Sequence, residues 1–160
     1  MKTPDKVYWS YLAGLIDGEG TIQINKTQKE SFECRVKIGN TDLRLMQWLT
    51  SNFGGVYYTE TNRNPLKHKT LYQWRIKGRR NTELLLLGTL PYLVLKAEQA
   101  KQALNYLRAE TTEERNAAFL AIRPLNKRGS SLTTNTQETS QEVKIESELV
   151  GDDESVPIVI

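Results

Sequence analysis

Basic and amide side chains recur at every second position in several short stretches of the sequence. Apolar residues occupy the positions between them, a pattern typical of half-buried strands whose polar side chains share one open face. Arginine, lysine, glutamine and asparagine match the edges of base pairs in the DNA major groove, which a β-ribbon can enter. An ordinary solvated sheet face is the alternative. The side chains that we expect to contact DNA are Gln23, Asn25, Arg35, Lys37, Tyr57, Thr59, Gln73, Arg75 and Lys77.

A carboxylate at the end of an apolar helix is the second candidate for chemistry. Val7 to Asp17 is apolar on several sides, which predicts a helix that Gly20 can terminate. Glu19 then lies at the helix C-terminus, where the helix dipole is negative and a carboxylate is unfavourable on its own. The dipole and the carboxylate together favour a cation, and hard oxygen ligands suit Mg²⁺.

The composition excludes several other kinds of site. The sequence has one cysteine, Cys34, and one histidine, His68. It therefore cannot form an internal disulfide, a zinc finger or a triad built on several histidines. Ser-Lys and metal-carboxylate chemistries stay open. The longest apolar runs are far shorter than the roughly 20 residues that span a bilayer, so we expect no membrane partner.

Charge is distributed unevenly along the 160 residues. Residues 129–160 contain seven acids and one base, a net charge of −6, whereas residues 1–128 contain 12 acids and 21 bases, a net charge of +9. Basic domains often bind nucleic acid because lysine and arginine release counterions from phosphates, although a solvated basic surface is the alternative. The acidic segment has no helical or strand period. We therefore predict a folded domain over residues 1–126 and a disordered acidic tail over residues 127–160.

The periodicities predict the elements that position these side chains. The order is α-β-β-α-β-β-α followed by two further helical pieces, which indicates an α/β fold of the α+β type. One four-stranded antiparallel sheet carries helices on one face. Thr3 and Pro4 resemble a helix start. The predicted helices are Val7–Asp17, Thr41–Phe53, Asn81–Leu87, Val94–Arg108 and Thr112–Ile122, and the predicted strands are Thr21–Thr27, Phe32–Gly39, Val56–Glu60 and Thr70–Lys77.

The nonapeptide at residues 12–20, Leu-Ala-Gly-Leu-Ile-Asp-Gly-Glu-Gly, closely resembles the signature of the LAGLIDADG homing endonucleases. Only Gly18 and Glu19 depart from it, where the signature has alanine and aspartate. The resemblance extends over about residues 5–122 and implies the α-β-β-α-β-β-α core of that family. The chain carries one copy of the motif, and single-motif members resemble homodimers. A C₂ homodimer and a near-palindromic DNA target are therefore implied.

The resemblance also implies roles for individual residues. Paired helices would bring two Glu19 carboxylates together to hold Mg²⁺ (or Mn²⁺), with Gly18 at the same metal site. The catalytic residues implied beside Glu19 are Lys96, which opens a long helix, Asn40, which would position solvent, and Arg44, a second cation. The residues implied at the dimer interface are Leu12, Ala13, Gly14, Ile16 and Asp17.

We therefore predict a homing endonuclease that makes a metal-dependent double-strand break in a long DNA target. Two alternatives on the same fold stay open, an intron RNA maturase and a DNA-binding regulator that does not cleave. No secretion signal is visible, so we expect an intracellular protein, in the cytoplasm or an organelle of the host of a mobile intron.

Overall fold

A computed structural model describes residues 4–27, 31–60 and 69–127. His68 and, apart from Lys127, the predicted acidic tail lie outside these ranges, so the domain boundary stays a prediction. None of the helices in the described ranges has the length and apolar character of a membrane span. The helices are α1 (Lys6–Glu19), α2 (Leu43–Phe53), α3 (Arg79–Thr89), α4 (Ala97–Arg108) and α5 (Thr112–Leu125), and the strands are β1 (Gly20–Lys26), β2 (Phe32–Asn40), β3 (Val56–Glu60) and β4 (Leu71–Arg75).

The four strands form one antiparallel sheet in the order β1-β2-β4-β3. The predicted fold class is confirmed, with α4 and α5 added after the α-β-β-α-β-β-α core. Alternate strand residues are buried against the helices because apolar side chains two apart share one face of a strand. The strand side chains in this core are Ile22, Ile24, Cys34, Val36, Ile38 and Trp74.

The predicted starts of the first and fourth helices are wrong. Helix α1 begins at Lys6 and not at Thr3 and Pro4, because the Asp5 carboxylate caps it by accepting the Lys6 backbone N–H at 2.6 Å. Helix α4 begins at Ala97 and not at Val94. A 3-10 turn at Leu90–Tyr92 precedes it. The N–H groups of Val94 and Lys96 donate to the Asp17 carboxylate of α1 and to no helical carbonyl of the described residues.

Strand β3 presents the opposite face from the one predicted. Tyr57 lies directly opposite Trp74 of β4, and directly opposed residues in a ladder project to the same side of the sheet. Trp74 is fully buried in the core, so Tyr57 and Thr59, two residues on, face the helical side. Their prediction on the open face is wrong because a shift of one residue exchanges the two faces of a strand. The β3 residues on the open face are Val56, Tyr58 and Glu60.

The turn from α2 into β3 packs directly on β4. Gly55 has a φ of +82°, and a Cβ atom there would lie 2.6 Å from the Arg75 carbonyl oxygen. The Trp74 indole N–H donates to the Gly54 carbonyl at 2.9 Å and fixes the turn. Gly78 also has a positive φ, +86°, but the nearest atom to a Cβ atom there would be the Asn81 side-chain nitrogen, 3.9 Å away.

We expect Gly55→Ala to destabilise the fold more than Gly78→Ala. Both substitutions force alanine into a backbone conformation that disfavours it, at roughly 1–3 kcal/mol. Only Gly55→Ala also drives a Cβ atom into a backbone carbonyl. Urea denaturation of both variants measures the difference in the free energy of unfolding. Equal losses would contradict the packing of this turn on β4.

Candidate functional site

Helix α1 and strand β1 meet without a loop. The Gly20 N–H donates to the Ile16 carbonyl as the last bond of α1, and Gly20 also pairs with Ile38 as the first residue of β1. A Cβ atom on Gly20 would lie 2.6 Å from the Ile16 Cα atom, so this junction requires glycine. The junction places Glu19 at the helix end beside the sheet. The Glu19 side chain is exposed, and its carboxylate forms no hydrogen bond or ion pair with another described residue.

The Asp17 carboxylate binds the segment that leads into α4. Its Oδ2 accepts the Val94 N–H at 2.8 Å, and its Oδ1 accepts the Lys96 N–H at 2.9 Å. The Lys96 ammonium donates in turn to the Asp17 backbone carbonyl at 2.5 Å. Asp17 is thus engaged within its own chain, although we predicted it at a dimer interface. These bonds bring the Lys96 ammonium to the helix end that carries Glu19.

Asn40 and Arg44 lie around the start of α2. Asn40 Oδ1 accepts the Asp42 N–H at 2.9 Å, and Arg44 Nη2 donates to Asp42 Oδ2 at 2.6 Å. The Arg44 side chain and backbone N–H together lower the pKa of the Asp42 carboxyl to about 2. Asn40 ends β2 two residues beyond Ile38, which pairs with Gly20 at the α1–β1 junction. Arg44 is 89% exposed and paired with Asp42, and the structure does not bring it into contact with Glu19.

The open face of the sheet carries cations at its centre. Lys37 of β2 lies directly opposite Arg75 of β4, and like charges in that position repel each other. Arg35 pairs with Glu33 at 2.6 Å, and this bond lowers the pKa of the Glu33 carboxyl. An anion across β2 and β4 would relieve the repulsion between the cations. The other predicted contact residues on this face are Gln23 and Asn25 of β1 and Gln73 of β4, with Lys77 exposed just beyond β4.

Sequence reasoning missed two open-face residues, Tyr58 and Glu60. The Tyr58 hydroxyl donates to Gln73 Oε1 at 2.6 Å, and Gln73 Nε2 donates to Glu60 Oε2 at 3.2 Å. The Arg75 guanidinium carbon lies 5.3 Å from the centre of the Tyr58 ring. All five residues of β3 are exposed, so burial gives no alternation from which the face could be assigned. The signal that identifies them is the register with β4.

Three predicted interface residues belong to the core of this chain. Leu12, Ala13 and Ile16 have no exposed surface, because their side of α1 packs on the sheet and the other helices. A side chain without exposed surface cannot contact a partner, so these three assignments are wrong.

The outer face of α1 is exposed at four positions along its length, although the Tyr11 ring also contacts the Trp48 ring of α2 with 5.1 Å between centroids. Its residues recur at intervals of four, three and four, the spacing of one helix face. Val7 and Tyr11 are 70% and 51% exposed. Among the described residues, a Cβ atom at Gly14 or Gly18 would meet no atom within 4 Å outside the backbone of its own helix. We call the face formed by Val7, Tyr11, Gly14 and Gly18 the outer α1 face.

The family comparison decides the classification of the chain. The sequence profile of the family described as LAGLIDADG endonuclease matches residues 12–110. The chain belongs to the LAGLIDADG endonuclease family. No curated protein matches it in sequence.

Solved structures of LAGLIDADG proteins share its fold. The homing endonuclease I-CvuI, in complex with its target, superposes with a TM-score of 0.61 at 20% identity, over 75% of this chain and 80% of that chain. The homing endonuclease I-TnaI superposes with a TM-score of 0.59 at 18% identity, over 74% of this chain and 88% of that chain. The LAGLIDADG meganuclease I-AabMI matches with a TM-score of 0.55 at 20% identity, over 73% of this chain and 42% of that chain.

The described part of this LAGLIDADG protein offers few hard oxygen ligands near the end of α1. Within residues 4–27, 31–60 and 69–127, no three His, Cys, Asp or Glu side chains are grouped so that they could hold a metal ion. The Asp17 carboxylate already accepts two backbone N–H groups, so the Glu19 carboxylate is the acidic group at this helix end that could bind a cation. The last carbonyls of a helix lack partners within the helix, so the Gly18 carbonyl is a second oxygen of the right chemistry. These donors suit a divalent cation.

We expect Asp17→Ala to loosen the start of α4. Removing the carboxylate leaves two backbone N–H groups without their acceptors, and hydrogen bonds to charged groups contribute roughly 1.5–3 kcal/mol each. Amide hydrogen exchange at Val94 and Lys96 should accelerate, and the free energy of unfolding should fall. Asp17→Asn keeps one acceptor oxygen and should lose less. Unchanged exchange at both amides in Asp17→Ala would contradict this role.

Proposed function

We propose that this chain is a site-specific DNA endonuclease that acts as a homodimer. It cuts both strands of a long, near-palindromic target and depends on Mg²⁺ or Mn²⁺. The observation that carries the proposal is the Glu19 carboxylate at the α1–β1 junction, which pairs with none of the described residues and lies at the end of a helix face without side chains at Gly14 and Gly18. Membership of the LAGLIDADG endonuclease family supports it.

The contents of related structures agree with the proposed partner and cofactor. I-CvuI was solved with its target in the presence of Ca²⁺, and also with another target, not cleaved, in the presence of Mg²⁺. I-AabMI was solved bound to uncleaved DNA. Double-stranded DNA and a divalent cation are therefore the partner and the cofactor that we propose for this chain.

The dimer would form through the outer α1 face. Gly14 and Gly18 present backbone and no side chain, which permits a second helix to approach closely. Val7 and Tyr11 supply apolar surface on the same face. A two-fold axis along this face pairs each α1 with its copy, so the two Glu19 carboxylates meet near the axis. The second copy supplies the carboxylate that one protomer lacks.

The residues at and near the end of α1 would have different roles in cleavage. The Glu19 carboxylates and the Gly18 carbonyls would hold the divalent cation. When bound, the cation polarises the scissile phosphate and lowers the pKa of its water. The Lys96 ammonium is held at the same helix end, where a positive charge stabilises negative charge on phosphate oxygens. The Asn40 side-chain oxygen is occupied, so its amide N–H groups are the ones that would orient water.

The open sheet face would read the DNA. Arg35, Lys37 and Arg75 concentrate positive charge at its centre, which offsets the negative charge of the phosphates. Base-edge contacts would come from amide and guanidinium groups on the same face. Arg44, exposed at the start of α2, would act as a phosphate contact and not as a catalytic group.

We expect Glu19→Gln to abolish cleavage and to retain DNA binding. Glutamine preserves size and shape but removes the charge that holds the cation, so the cleavage rate should fall by roughly 10²-fold or more. Cleavage of the target in Mg²⁺ and DNA affinity in Ca²⁺ are the two measurements. Glu113→Gln, an exposed carboxylate in the first turn of α5, is the control and should cut like the wild type. Near-wild-type cutting by Glu19→Gln would refute the assignment.

We expect Gly14→Leu to dissociate the dimer without unfolding the protomer. The leucine side chain enters open space in the protomer but overpacks the proposed interface, a change of roughly 1–3 kcal/mol. Sedimentation velocity at micromolar concentration should show monomers, and these monomers should still unfold in one cooperative transition, although at a lower temperature than the dimer because the partner no longer stabilises the folded state. Lys101→Leu on the exposed side of α4 is the control for added apolar surface. A wild-type protein that is monomeric when it cleaves DNA would refute the shared site.

A further inference from the structure

Tyr58 and Glu60 fix the orientation of the Gln73 side chain. A carboxylate such as Glu60 only accepts hydrogen bonds, so the Gln73 nitrogen must be the atom that faces it, at 3.2 Å. The Gln73 oxygen then faces Tyr58, and the hydroxyl must donate to it at 2.6 Å. A flipped amide would place the Gln73 oxygen against the Glu60 carboxylate and lose that bond, so Glu60 sets the orientation of the amide and Tyr58 holds the amide in place. Its oxygen keeps a lone pair and its nitrogen keeps a hydrogen for a ligand.

The same tyrosine holds the Arg75 guanidinium. Arg75 lies over the Tyr58 ring at 5.3 Å, a cation–π contact, while Lys37 repels it from the opposite strand. The Arg75 Nε atom is buried and has no hydrogen-bond partner. No described residue accepts a hydrogen bond from this guanidinium, although buried polar groups normally have partners. Arg75 is therefore oriented by an aromatic ring, and its Nη donors stay available for a ligand, whereas the buried Nε does not.

We propose that Tyr58 is a positioning residue for sequence recognition, which fixes Gln73 to read an adenine and Arg75 to read a guanine in the DNA target. Glutamine matches N6 and N7 of adenine, and arginine matches O6 and N7 of guanine. The proposal rests on the proposed DNA-binding function and names the bases that this part of the sheet selects. Fixing both side chains before binding reduces the conformational entropy that binding must remove.

The chain contains a matched control for this role. Tyr57 is the adjacent residue, is of the same type and is 38% exposed, as Tyr58 is. It lies on the opposite side of β3, where Trp74 is its cross-strand neighbour. Removing one hydroxyl at position 57 or at position 58 therefore makes the same chemical change on the two faces of one strand.

The variants separate the two contacts of Tyr58. Tyr58→Phe removes the hydroxyl that holds Gln73 and leaves the ring under Arg75. Tyr58→Ala removes both. Glu60→Gln replaces the acceptor with an amide that tolerates either orientation of Gln73, and it also removes a negative charge from the face. Tyr57→Phe is the control.

The experiment selects binding sites for the full chain from a randomised double-stranded DNA library in Ca²⁺. The wild type should enrich a two-fold symmetric motif that contains adenine at one symmetric pair of positions and guanine at another. Tyr58→Phe and Glu60→Gln should lose discrimination at the adenine pair by about 5-fold or more and keep the guanine pair. Tyr58→Ala should relax both pairs, and Tyr57→Phe neither.

The outcomes distinguish this inference from the proposed function. If the wild type enriches no two-fold symmetric motif, the proposed function fails and the inference fails with it. If the wild type enriches such a motif and Tyr58→Phe keeps every preference, or weakens all positions uniformly, the inference alone is overturned. A merely structural role for Tyr58 would lower the unfolding temperature and the overall affinity without changing the preference at one pair of positions.

Discussion

At Gly20, the last hydrogen bond of α1 and the first pair of the β1–β2 ladder fall on the same residue. Because no loop separates the two elements, α1 cannot rotate relative to the sheet without breaking one of these bonds. The outer α1 face, the Glu19 carboxylate and the open sheet face are therefore held in one fixed arrangement. Asp17 adds the start of α4 to it and brings the Lys96 ammonium to the same point. A side chain at Gly20 would collide with the backbone of Ile16 and disturb all of these positions.

The sequence predicts the bounds of the edge strand β3 correctly but assigns its two faces wrongly, whereas it assigns the faces of the central strand β2 correctly, for a physical reason. In β2, Cys34, Val36 and Ile38 alternate with charged residues. This alternation predicts which face is buried, and the structure buries these three side chains. In β3 every residue is exposed, so neither face is distinguished by burial. The face to which each β3 side chain projects depends on the register with β4, in which Val56 pairs with Arg75. The periodicity of the sequence does not contain this register. The error at Tyr57 and Thr59 follows from that missing register.

The candidate site shows a similar division. The nonapeptide predicts Glu19 as a site residue, but the helix that carries it, α1, has apolar residues on both its buried and its exposed side. Hydrophobicity alone does not say which side packs on the chain's own sheet, so Leu12 and Ile16 were assigned to the wrong surface. The contact of Asp17 with Val94 joins positions 77 residues apart. Local spacing cannot reveal such a contact, and only the packed fold brings the two positions together.

The two faces of the sheet are under different constraints, which explains how this fold persists at low sequence identity. I-CvuI shares the fold at 20% identity. Residues such as Val36 and Trp74 are fully buried, and changing their volume opens cavities or overpacks the core. Tyr58 and Gln73 contact neighbours on the open face only, so they can be replaced without disturbing that core. The stability of the fold and the chemistry of its open face thus reside on alternate residues of the same strands. The positions that leave the core intact when they change are the ones that face the proposed DNA target.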